Sequence, residues 1–80
     1  MREFLEFILG SLVDHPDEVK ISYRQDGKKH YFLVAVHPED VGKLIGKRGF
    51  TISAIRNLMV GSASRQGETV SVKVERDGEE

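Results

Sequence analysis

Eighty residues with a formal net charge of −1, of which 39% are hydrophobic and 31% charged, make one small globular domain and exclude a strongly basic, indiscriminate binder of polyanions. At about this size a chain buries only about 60% of its unfolded surface, so there is no room for a second core or a deep enclosed active site. There is no cysteine and no run near the roughly 20 apolar residues of a membrane helix, and Glu3 and Glu6 interrupt any signal-peptide stretch; a cytoplasmic protein without membrane association is expected.

Taken in chain order, Phe4, Leu5, Ile8, Leu9, Leu12 and Val13 recur at helical spacing and predict an amphipathic helix over residues 2–13. Pro16 ends it, because proline disfavours helix in the residue before it. Val19, Ile21 and Tyr23 then alternate with Lys20, Ser22 and Arg24, the pattern of a half-buried strand. Asp26-Gly27 signals a hairpin turn. Residues 30–37 are almost continuously apolar and predict a central strand with Phe32, Val34 and Val36 on one face. Pro38, with Glu39 and Asp40, suits the first turn of a short helix reaching about Ile45. Ile52, Ile55, Leu58 and Met59 mark a second amphipathic helix over residues 50–62, and residues 62–68 form a polar loop. Val70, Val72 and Val74 alternate with Ser71, Lys73 and Glu75 in a third strand. No internal repeat is evident.

This order, α-β-β-α-α-β, predicts an α+β fold. The first two strands form an antiparallel hairpin, and the two-helix crossover suits a parallel pairing of the second and third. The result is a three-stranded mixed sheet with helices on one face. Residues 1–76 would form the single domain, and residues 77–80 an acidic tail expected to fray.

The segment Val41-Gly42-Lys43-Leu44-Ile45-Gly46-Lys47-Arg48-Gly49-Phe50-Thr51-Ile52 carries the functional signal. It reads as helix, Gly-x-x-Gly turn with two cations, and helix. Glycine permits positive φ and close backbone approach, and a helix N-terminus presents unpaired N–H groups to an anion. Residues 41–58 hold four cations, Lys43, Lys47, Arg48 and Arg56, and no acid. Gly46 and Gly49 either serve a plain tight turn or hold a backbone grip; two glycines flanking two cations in this element order favour the grip. Lys47 and Arg48 are expected as direct phosphate contacts rather than solvated loop charges; Lys43 and Arg56 read either as groove-edge cations or as ordinary surface, and Arg65, in the loop before the third strand, as a looser groove-border candidate. Gly42 either admits the nucleic acid or lets two helices pack closely. Val41, Ile45, Ile52 and Ile55 read as core residues, some of whose surface would floor an apolar groove. Tyr23, Tyr31 and Phe32 read as sheet packing, and Lys28 and Lys29 as solvated surface.

Other chemistries find little support. His15, His30 and His37 are far apart in sequence on different elements, which argues against a metal site. No histidine neighbours a Ser or Cys nucleophile, so no enzyme and no small-molecule substrate or cofactor is expected. A phosphate-binding Walker loop fails because Arg48 follows Gly46-Lys47 where Ser or Thr is needed.

Ile45-Gly46-Lys47-Arg48-Gly49 with Ile52, and Gly42 before it, resembles the core motif of the KH domain, whose Gly-x-x-Gly loop clamps about four nucleotides. The element order resembles the type II form. Segments 13–19, 37–49 and 51–56 extend the resemblance over nearly all 80 residues to the small single-domain bacterial KH proteins of the KhpA type. That resemblance implies single-stranded RNA binding through Gly42, Lys43, Ile45, Gly46, Lys47, Arg48, Gly49, Ile52 and Arg56. It also implies a homodimer or a heterodimer with a second KH-containing protein, and roles in RNA regulation and cell-envelope growth. Phe50 departs from the family's pattern, where a basic residue is frequent, and is expected to pack against its neighbours rather than stack on a base. The competing function is a protein-interaction adaptor that has largely given up RNA.

Overall fold

The computed structural model describes residues 2–75, so the acidic tail expected at 77–80 lies outside the described residues. Helix α1 (Arg2–Leu12) leads through a 3-10 turn (Pro16–Glu18) into strand β1 (Lys20–Asp26), which turns at Gly27 into strand β2 (Lys29–Ala35). A second 3-10 turn (Pro38–Asp40) opens helix α2 (Val41–Ile45); the short turn Lys47–Gly49, helix α3 (Phe50–Ser64) and strand β3 (Thr69–Val74) follow. The sheet order is β1-β2-β3, with β1 antiparallel and β3 parallel to the central β2. The expected type II KH arrangement is the observed one. Among the described residues no helix is long and apolar enough to cross a membrane.

Alternation along the strands decides what each face buries. Phe32, Val34 and Val72 point to the helices and are buried with Leu5 and Leu9 of α1, Leu44 of α2, and Ile52, Ile55 and Met59 of α3. Each such side chain contributes about 1.5–3 kcal/mol when removed from water. Pairing Arg24 with Tyr31 and Ser22 with Leu33 places those residues on the opposite face, which no described element covers. Tyr31 packs on that outer face beneath the Arg24 guanidinium, whereas Phe32 joins the buried helix-side core.

Two side-chain networks lock the layers. At one end of the sheet, buried His30 bonds through Nδ1 to the Tyr23 hydroxyl (2.6 Å) and through Nε2 to Glu68 in the loop before β3. At the other end, Asp40 is buried at the start of α2. Its carboxylate accepts the backbone N–H groups of Asp14 (3.2 Å) and His15 (2.9 Å) and faces the His15 ring Nδ1 (3.0 Å). One carboxylate thus pins the α1–β1 connection against the helix that carries the glycine turn.

The pentads His15-Pro16-Asp17-Glu18-Val19 and His37-Pro38-Glu39-Asp40-Val41 share a His-Pro-acid-acid-Val pattern, a short local repeat where none was expected. Each forms a Pro-initiated 3-10 turn, and the two histidine rings stack at 4.0 Å. Both prolines sit at the first position of the turn, where a missing N–H costs nothing.

Candidate nucleic-acid interface

Helix α2 stops because Gly46 leaves helical geometry, with φ 78° and ψ 175°, while its N–H still closes onto the Gly42 carbonyl at 2.9 Å. The chain then turns through Arg48 (φ 56°, ψ 23°) and Gly49 (φ 77°, ψ 12°), both left-handed, and the Gly49 N–H returns to the Gly46 carbonyl. Arg48 is the non-glycine with positive φ among the described residues, a conformation that costs about 1–3 kcal/mol and gathers at functional sites. Two successive left-handed residues force a tight corner, and Lys47 and Arg48 stand exposed on it. Neither belongs to an ion pair among the described residues. Helix α3 starts at Gly49 without a side-chain cap, so its first N–H groups face the same corner.

Beyond this corner, between α3 and the free edge of β3, Arg56, Val60, Val70, Ser71, Val72 and Lys73 line a shallow groove of about 300 Å³. Arg56 is exposed, but its Nε–H donates to the Val72 carbonyl (2.9 Å), so the guanidinium caps the strand edge as well as charging the groove. Val60, 47% exposed, was missed in the sequence because it falls off the Ile52-Ile55-Met59 face and no motif marks it. An apolar residue on the polar side of an amphipathic helix was the available signal.

The remaining candidates divide. Ile45 is half-buried and Ile52 only 5% exposed, so Ile52 serves the core far more than any groove floor. Lys43 is turned away from the corner: its Nζ donates to Asp14 (2.8 Å), and that hydrogen bond, with Asp14's charge, holds its pKa above the ordinary value. A methyl added at Gly42 would meet nothing within 4 Å, so close helix packing is not what glycine serves there. Arg65 lines a different hollow, with Phe4, Asn57 and Leu58 between α1 and α3. Phe50 corrects its expectation outright: it is 68% exposed beside the turn, because the α3 face that packs begins at Ile52.

The histidines need a second correction. His15, His37 and Glu39 converge, their ligating atoms within 4.8 Å of one another, although sequence distance suggested otherwise. The cluster is nonetheless built for hydrogen bonding. His37 Nδ1 accepts the Glu39 N–H, which leaves the proton of a neutral ring on Nε2 and no lone pair there for a metal.

Asp40 and His15 titrate against each other. The hydrogen bond to Asp40 is the main cause that holds His15 above its ordinary 6.5. Burial pushes Asp40 up, but the hydrogen bonds from the His15 ring and from two backbone N–H groups outweigh it and leave the carboxyl below 3.8. The His15 contribution to stability is complete below pH 6.5 and is lost as pH rises through the raised folded value. The Asp40 contribution is present above 3.8 and is lost as pH falls through the lowered one. Thermal melts should therefore show falling stability from about pH 6 to 8 in wild type, and a flatter profile over that window in His15→Gln. Parallel profiles would show that the pair does not act in this way.

A family model described as the KhpA/KhpB KH domain matches residues 2–74. Curated relatives named RNA-binding protein KhpA are similar to the chain along almost their whole length. That of Halalkalibacterium halodurans is 39% identical over 92% of this chain and 97% of its own. The Chlamydia pneumoniae protein is 45% identical over 92% and 95%, and that of Chlamydia caviae 43% identical over 96% and 99%. No solved structure matches the chain.

Proposed function

The chain belongs to the KhpA/KhpB family of KH domains, and we propose that it is an RNA-binding protein that grips the backbone of about four nucleotides of single-stranded RNA on the 46–49 turn. The observation that carries this reading is the strained, doubly left-handed corner that holds Lys47 and Arg48 out, in no ion pair among the described residues, beside the uncapped start of α3. Lys47, Arg48 and the turn's N–H groups meet phosphates; Phe50 offers a face to a base; the α3–β3 groove, with Arg56 at its edge, takes the rest. Gly42 leaves open space at the approach to the turn. Lys43 supports the site indirectly, by tying α2 to Asp14.

Roughly three phosphate contacts give a salt slope of about −2 for a single strand, so affinity for a short labelled RNA should fall about 20-fold between 50 and 200 mM salt. Fluorescence anisotropy reads this directly, and a salt-independent affinity would overturn the reading. A footprint this small predicts weak binding by one copy. Dimerisation, with itself or with a second KH-containing protein, then raises avidity for longer RNA in the cytoplasm and suits a role in post-transcriptional regulation.

The exposure of Phe7 (74%), Leu58 (54%) and Phe4 (42%) on α1 and α3 favours a second reading, in which protein association is the main task. It predicts negligible RNA affinity at any salt concentration together with a stable oligomer in sedimentation.

A further inference from the structure

The uncovered face of the sheet is neither neutral nor featureless. Register places Lys20, Ser22, Arg24 and Asp26 of β1, Lys29, Tyr31, Leu33 and Ala35 of β2, and Thr69, Ser71 and Lys73 of β3 on it. Within the strands that is four cations against Asp26 alone, in a chain whose net charge is −1. The centre of the face is a hollow of about 470 Å³ floored by Tyr31 and Leu33 and walled by Arg24 and Lys73. The small residues Ser22 and Ser71 keep it open. The Arg24 guanidinium lies over the Tyr31 ring at 4.4 Å, and Leu33 is 39% exposed beside it.

This hollow adjoins the α3–β3 hollow of the proposed RNA site across the edge strand. Ser71 and Lys73 line both: the α3–β3 hollow on one side of the edge strand and the sheet hollow on the other.

We propose that the sheet face is a second single-stranded RNA subsite, onto which a strand leaving the α3–β3 groove passes over β3 and lays further nucleotides on Tyr31 and Leu33, between Arg24 and Lys73. The inference rests on the RNA-binding reading of the groove and extends it to longer strands. Its charge fits a polyanion. The flat ring under a stacked guanidinium fits bases, because every base has a π face to lay against tyrosine or arginine. A purely acidic peptide would use the cations and leave the aromatic floor unused.

Labelled oligouridines of about four nucleotides, the length one groove holds, and of about ten, within the range of extended single-strand sites, separate the two subsites. Tyr31→Leu keeps apolar volume and removes the ring; Arg24→Gln removes an exposed charge that lines the sheet hollow and not the α3–β3 groove. Both variants should bind the short oligomer like wild type and the long one about tenfold more weakly, the loss expected from removing one stacked base. The charge variant should also flatten the long oligomer's salt slope by about 0.7, for one phosphate contact.

Unchanged long-oligomer affinity in both variants overturns the subsite alone. So does an equal loss for both lengths, which would mean that the face acts only by supporting the groove. Competition by an oligoglutamate as strong as that by RNA overturns the choice of ligand. Wild type that binds neither length overturns the groove reading as well.

Discussion

Reversing both turn charges, with Lys47→Asp and Arg48→Asp, is expected to weaken binding of a short single-stranded RNA by about 100-fold or more at low salt while leaving the thermal melt nearly unchanged. Charge-assisted hydrogen bonds contribute about 1.5–3 kcal/mol each, two are lost, and two acids are set against phosphate in their place. The fold should hold because both side chains are exposed and neither takes part in an ion pair among the described residues. Anisotropy titration checks the first half and circular dichroism the second. Retained affinity would remove the turn from the binding site, and a collapsed melt would show that these residues stabilise the turn rather than a ligand.

Gly46→Ala should be the most damaging single change in the turn for stability. At φ 78° and ψ 175° the residue occupies a region that is essentially glycine's alone, at a cost of about 1–3 kcal/mol for any other. A Cβ there would lie 2.1 Å from Thr51 Oγ1 and 2.8 Å from the Thr51 backbone nitrogen, so the start of α3 must move as well. The combined loss, about 3–5 kcal/mol, is a large share of the roughly 4–12 kcal/mol that a domain of this length possesses. Gly49→Ala meets nothing within 4 Å and should cost only the left-handed penalty of about 1–2 kcal/mol. Urea denaturation ranks the two, and equal losses would contradict the Thr51 contact as the cause.

Much of this was legible in the chain. The 3.6-residue spacing of α1 and α3 and the two-residue alternation of the strands are local signals, and every element appeared within a few residues of its expected place. The hidden features depend on contacts distant in sequence. His15 and His37 meet because the two Pro-led turns pack side by side, and nothing in their spacing states that. Asp40 looked like an ordinary acid of a helix start, yet burial and three hydrogen-bond donors from residues 14–15 make it a tie between elements. Lys43 carried the right charge in the right segment, and Asp14 occupies it from 29 positions away.

By itself the sequence determined the fold class, the order and pairing of the strands, and the Gly-Lys-Arg-Gly turn with its two cations. These follow from periodicity, from the conformations only glycine adopts readily, and from residue chemistry, all of which act over a few neighbouring positions. Only the tertiary structure decided which cations are tied into ion pairs among the described residues, that Phe50 faces solvent beside the turn, and that Ser71 and Lys73 border both the α3–β3 hollow and the hollow on the Tyr31 face. Those outcomes depend on which side of each element is covered, and coverage is a property of packed layers rather than of any one segment.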